Sequence, residues 1–302
     1  MLISVVNHTD GTLTDPDVQT AIRAINAQIA HDYKPYWHIS AELRLEGSIG
    51  KDPDEKALPE LRGDAIIYLW NDTNVDDALG YHETNAAGVP FGFIFTQLSA
   101  EMHEPWSVTL SHEALELIGD PEVNLLVTGP HPADPKKEVF HWYEMCDAVQ
   151  DEHYTIDGVG VSNFLLPLYF TTGAEAGGRN DFLGARKGRK ALKSFGIAPG
   201  GYIGFYNPDT RMHETYALQG DKRAKERARI KAKASLTRRA KRYGLGPTYR
   251  EEVEQVMQAA TGVDSTTATA AVRSLRAHRR MAGGAREPIA VEQIGSEKRR
   301  GY

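Results

Sequence analysis

The chain has 302 residues, 41% of them hydrophobic and 25% charged, enough for one large domain or two smaller ones with a substantial core. No apolar run approaches a membrane span, MLISVVNHTDGTL lacks the features of a signal peptide, and the single cysteine, Cys146, excludes an internal disulfide framework or a multi-cysteine zinc site, so a cytoplasmic-type setting is expected. The net charge of -6 conceals a split: residues 1–220 carry 15 Lys and Arg against 32 Asp and Glu, whereas residues 221–242 carry 11 against 2.

Residues 2–6 (LISVV) predict a first strand. Val18, Ile22, Ile25 and Ile29 then recur at helical spacing, with Asp15 or Asp17 available as a cap. Alternation from Ile39 to Leu45 predicts a half-buried strand, and KDPDEKALPELRG reads as a charged, proline-bearing loop. AIIYLW, bounded by Asp64 and Asn71, predicts a buried central strand. VPFGFIFT (89–96) predicts a further strand, which Pro90 and Gly92 assign to an edge.

SVTLSHEALELIGDPEVN follows. Pro105 or Ser107 can start a helix, and Gly119, Asp120 and Pro121 can end it, with the glycine free to turn left-handed. Val108, Leu110, Leu115, Leu117 and Ile118 supply its apolar positions. His112 and Glu116 lie four apart on one face, so both can grip a single ion. Glu113 beside them can take a proton from a water held there. Three protein ligands and a water suit a catalytic zinc, and a carboxylate in place of a second histidine makes a harder site, open to other divalent ions. The same residues also fit a solvated acidic helix face carrying a capping or core histidine. Three other His-Glu pairs occur, at His82, His103 and His213, but only the one at His112 sits in a convincing amphipathic helix.

Downstream, EVFHWYEMCDAVQ is aromatic and acidic. Glu144 and Asp147 are candidate third ligands, or groups that orient His112. Tyr143 or Tyr154 can donate to a developing oxyanion. Cys146 reads as a small buried residue rather than a nucleophile, Asp120 as structural, and His131, His141 and His153 as surface residues. HYTIDGVGVSNFLLPLYF predicts a hairpin turning at Asp157-Gly158, and GGYIGFYNPDTRMHETYAL another turning at Asn207-Pro208-Asp209, with a glycine-rich stretch at 176–180 between them. Residues 222–242 favour a basic helix, 248–281 one or two further short helices, and the last 20 residues a frayed end.

This order of strands, with a strand before an H-E-x-x-E helix, resembles the zincin metallopeptidases. SHEALELIGDP, YEMCDAV and VSNFLLPLYF resemble a group of HExxE metallopeptidases of bacteria and phages over residues 1–218. The resemblance implies an α+β fold: a zincin-like mixed sheet with an edge strand and active-site helix, then a loop and hairpin subdomain and a helical basic tail. Domains are expected at 1–220 and 221–302. It makes His112 a ligand, Glu113 the general base and Glu116 the counterpart of the second zincin histidine. HEALELIGDPE also follows the longer metzincin pattern, with Gly119 in place, Glu116 and Glu122 where histidines belong, and Met145 as a Met-turn candidate. The implied activity is zinc-dependent hydrolysis of a peptide or protein substrate, with another divalent metal possible, in the cytoplasm or within a phage or prophage assembly.

Two other readings stand beside it. One is a catalytically inactive, zincin-like structural or interaction protein working through its basic tail. The other is an enzyme whose residues 222–242 hold a nucleic acid or other anionic partner without sequence readout.

Overall fold

The computed structural model describes residues 1–46, 63–71, 79–84, 89–172, 180–187 and 192–228. The expected loop at 51–63 and glycine-rich stretch at 176–180 fall almost wholly outside them, and the helices at 248–281 and the frayed end do so entirely.

The first strand, β1 (Leu2–His8), leads through a turn to α1 (Asp15–Gln28). Thr14, not Asp15 or Asp17, caps that helix, and Asp17 closes a reciprocal capping box with it. The buried stripe Val18, Ile22, Ile25 and Ile29 carries α1 onto the sheet, and a π-helical turn (Ile29–Tyr33) and a short α2 (Lys34–Trp37) extend it. Next come β2 (Glu42–Glu46), β3 (Ala65–Trp70), β4 (Gly80–Thr84) and β5 (Pro90–Phe95). Together with β1 they form a mixed sheet in the order β2-β1-β3-β5-β4, in which only β4 runs antiparallel to its neighbour.

The edge assignment is thereby corrected. β5 lies between β3 and β4, and among the described strands β4 is the edge. Pro90 is tolerated because it is the first residue of its strand, opposite Thr84. Gly92 serves a close approach: a Cβ there would lie 3.0 Å from the Tyr81 carbonyl oxygen.

Strand alternation sorts the sheet into two faces. Ile3, Val5, Ala65, Ile67, Leu69 and Ile94 join the core with α1 and the next long helix. Val6, Ile66, Tyr68, Tyr81, Phe91, Phe93 and Phe95 build a second, largely aromatic cluster. After α3 (Thr96–Glu101), that long helix, α4 (Trp106–Gly119), packs against β4, β5 and α3. Every residue from Ser107 to Ile118 is buried, which excludes a solvated acidic face.

The remaining described strands form two further sheets. β6 (Leu126–Pro130), β7 (Glu138–Trp142), β10 (Tyr202–Asn207) and β11 (Met212–Ala217) form an antiparallel sheet in the order β11-β10-β7-β6. β8 (His153–Ile156) and β9 (Val159–Ser162) form the expected hairpin, with Asp157 and Gly158 both at positive φ as its tight turn requires. A buried polar relay ties three elements together: Ser111 donates to Gln28, Gln28 donates to the Ser162 carbonyl, and the Ser162 amide donates to Ser111. Residues 222–228 are helical and seat Ala224 and Ala228 in the interior. There Arg227 pairs with Glu104 and Asp151, and Arg223 with Asp151. The rest of the basic segment, and any surface it offers a partner, lies outside the described residues. Among the described residues no helix is long and apolar enough to cross a membrane.

Candidate metal centre

α4 brings His112, Glu113 and Glu116 to one place. His112 Nε2 lies 3.2 Å from Glu116 Oε1. The loop after β7 arrives from the other side, so that Asp147 Oδ1 is 3.4 Å from the same nitrogen. That loop is held firmly. The Cys146 amide donates to Glu116 Oε1 at 3.1 Å, the Leu165 amide to the Met145 carbonyl at 2.7 Å and the Ala198 amide to the Ala148 carbonyl at 2.9 Å.

A residue outside the expected set completes the cluster. His82, on edge strand β4, faces α4, while its neighbour Tyr81 faces the aromatic cluster. Its Nδ1 is 3.1 Å from Glu113 Oε2 and 3.9 Å from Glu116 Oε2, and its Nε2 is 3.9 Å from Glu144 Oε2. Gly80 permits this approach, since a Cβ there would sit 3.0 Å from Glu113 Cγ. Among the described residues two triads have converging ligand atoms, His112–Glu116–Cys146 and His82–Glu116–Glu144, and Glu116 belongs to both.

All of these side chains are buried, Glu116 completely. For His82, burial is the strongest single influence and pulls its pKa down. The Glu113 hydrogen bond and the charges of Glu144, Glu113 and Glu116 together outweigh it and raise the value. For His112 burial again opposes, but Glu116, Asp147 and Glu113 lift the value well above the ordinary one. Cys146 is pushed well up, first by burial and then by the Glu116 charge. Its thiol faces the His112 carbonyl oxygen at 3.8 Å, which suits the small buried residue expected.

The donor set fits a divalent ion. Ligand atoms sharing a tetrahedral ion at ~2.0–2.1 Å lie about 3.3 Å apart, close to the His112–Glu116 and His112–Asp147 separations. Imidazole with carboxylate suits zinc and also manganese or iron.

Other candidates lie elsewhere. Tyr143 packs among Trp37 and Phe170, its pKa raised by burial and by Asp120. Tyr154 donates to Asp32 at 2.8 Å and lies against Phe182. These partners lie outside the cluster. Glu122 is exposed and accepts from Asn124, so it does not take the place of a third metzincin ligand. Asp120 accepts the Asn124 and Leu125 amides, the structural role expected. His131 accepts turn amides, and His153 is exposed. His141, expected at the surface, is buried against Phe195 and Phe205 and bonds to the Pro130 carbonyl oxygen. Met145 is fully buried against Gly119, and the Tyr33 hydroxyl donates to its sulfur.

Sequence reasoning missed His82, and one local pattern could have placed it on a strand. GYHET and PFGFIF are separated by a short glycine-bearing run, the pattern of a hairpin connection, and that pairing sets His82 beside Gly92. No protein-family model matches the chain, and no curated protein matches its sequence.

Proposed function

We propose that the chain is a metal-dependent peptidase of zincin-like architecture, using zinc or a related divalent ion. The observation that carries this reading is the buried H-E-x-x-E helix set against an antiparallel edge strand, with His82 of that strand bonded to Glu113. His112 and Glu116 would hold the ion, with Glu144 and Asp147 as the carboxylates that complete or orient the set. Such an ion supplies Lewis acidity, drawing charge from a peptide carbonyl and making a water acidic enough to ionise near neutral pH.

The chain's own residues do the rest. Glu113 receives the water's proton and returns it to the leaving amine. His82 fixes the Glu113 carboxylate through Oε2, 3.1 Å from its Nδ1. β4, the edge among the described strands, is the side of the sheet along which an extended peptide would add as a further strand. The dry walls around Glu116 and His112 strengthen each of these interactions.

The test is hydrolysis of a fluorescence-quenched peptide library by zinc-loaded protein and by its Glu113→Gln variant. The variant is expected to keep its fold and metal while kcat/KM falls by about 10²–10⁴. Equal turnover by the two proteins, or none by a wild type that holds metal, would refute the reading.

A further inference from the structure

From the two triads sharing Glu116 we infer that the cluster holds two divalent cations, bridged by the Glu116 carboxylate: one on His112, the other on His82 and Glu144. The inference rests on the metal-dependent reading above and adds a second ion to it.

Three observations carry it. First, Glu116 reaches both imidazoles: its Oε1 lies 3.2 Å from His112 Nε2, and it also forms a triad with His82 and Glu144 whose ligand atoms lie within 4.8 Å of one another. A carboxylate shared in this way is the bridge of a two-ion site, whose ions stand about 3.5–4 Å apart. Second, His82 is oriented as a ligand. Its Nδ1 is hydrogen-bonded to Glu113, and with the proton on that nitrogen the electron pair is left on Nε2. Nε2 is the atom turned toward Glu144, 3.9 Å away, a gap that an ion with ~2.1 Å bonds can span. Third, the donors divide without competing. Asp147 stands at 3.4 Å from His112, and Glu144 belongs to the His82 triad.

Metal-stripped full-length protein would be titrated with manganese(II) and with zinc, and bound metal counted after dialysis. The expected result is two equivalents per chain for the wild type and one each for His82→Gln and His112→Gln. Electron paramagnetic resonance of the manganese-loaded wild type gives a readout that needs no variant. Bridged ions couple magnetically, so the resolved hyperfine pattern of an isolated ion should broaden as the second equivalent binds. Saturation at one equivalent with both metals overturns the second ion and leaves the peptidase reading intact. Two equivalents with uncoupled spectra overturn the bridge. No binding at all overturns both.

Discussion

His82 and His112 are buried to the same depth, yet their second nitrogens meet different surroundings. His82 holds a carboxylate on Nδ1, whereas Nδ1 of His112 has no hydrogen-bond partner among the described residues and is oriented by packing. Both imidazoles have pKa values raised by the carboxylates around them. In metal-free protein the charged imidazoles therefore add stability that is complete below the ordinary histidine value, about 6.5, and is lost as pH rises through the raised values. A metal needs the neutral imidazoles, so its binding releases protons and strengthens in the same direction. The gap in thermal midpoint between metal-loaded and metal-free protein should widen with rising pH. Calorimetry showing a gap independent of pH would contradict this.

His141 works the other way. Burial is the main cause of its pKa falling to about 4, so it opposes folding as pH drops from about 6.5 toward that value. At pH 5 the wild type should lose about 2 kcal/mol that His141→Gln retains, measured by urea unfolding at pH 7 and pH 5. The sequence made His112, Glu113 and Glu116 legible because helical spacing alone places them together. Glu144 and Asp147 were legible as acids in the next segment. His82 was not, because only the pairing of β4 with β5 brings it there.

α4 ends against Met145, and Gly119 is the residue that lets it. Gly119 does not adopt the left-handed conformation its position suggests; a Cβ there would overlap the methionine's thioether. Gly119→Ala should destabilise the fold by about 1–3 kcal/mol through overpacking, read as a lower urea midpoint. The helix at 222–228 is anchored differently. Arg227 is buried against Glu104, which also accepts from Gln150 and Thr109, so it touches the turn before α4 and the loop after Asp147. Arg227→Ala leaves that carboxylate buried without its cation and should cost about 3–5 kcal/mol, while Arg227→Lys should recover part of it. The elements readable in advance were those with strong local patterns: the stripe of α1, the apolar run of β3 and the Asp157-Gly158 hairpin. β6 and β7 were not, because LVTGP and EVFHW mix exposed apolar with buried positions and form strands only by pairing with each other and with β10.

The whole chain joins a strongly acidic body to a basic segment, and the described part of that segment already folds back. Arg223 and Arg227 pair with Asp151 and Glu104 instead of facing outward together. The acidic excess is also not confined to the surface, since Glu113, Glu116, Glu144 and Asp147 are buried near His82 and His112. Folding such a cluster is costly unless cations accompany it. The most direct measurement is elemental mass spectrometry of protein purified without chelator, comparing the wild type with Glu116→Gln, which alters the carboxylate common to both triads. The account predicts stoichiometric zinc or another divalent metal in the wild type and its loss in the variant. A wild type that carries no metal, and takes up neither zinc nor manganese at micromolar concentration, would contradict it.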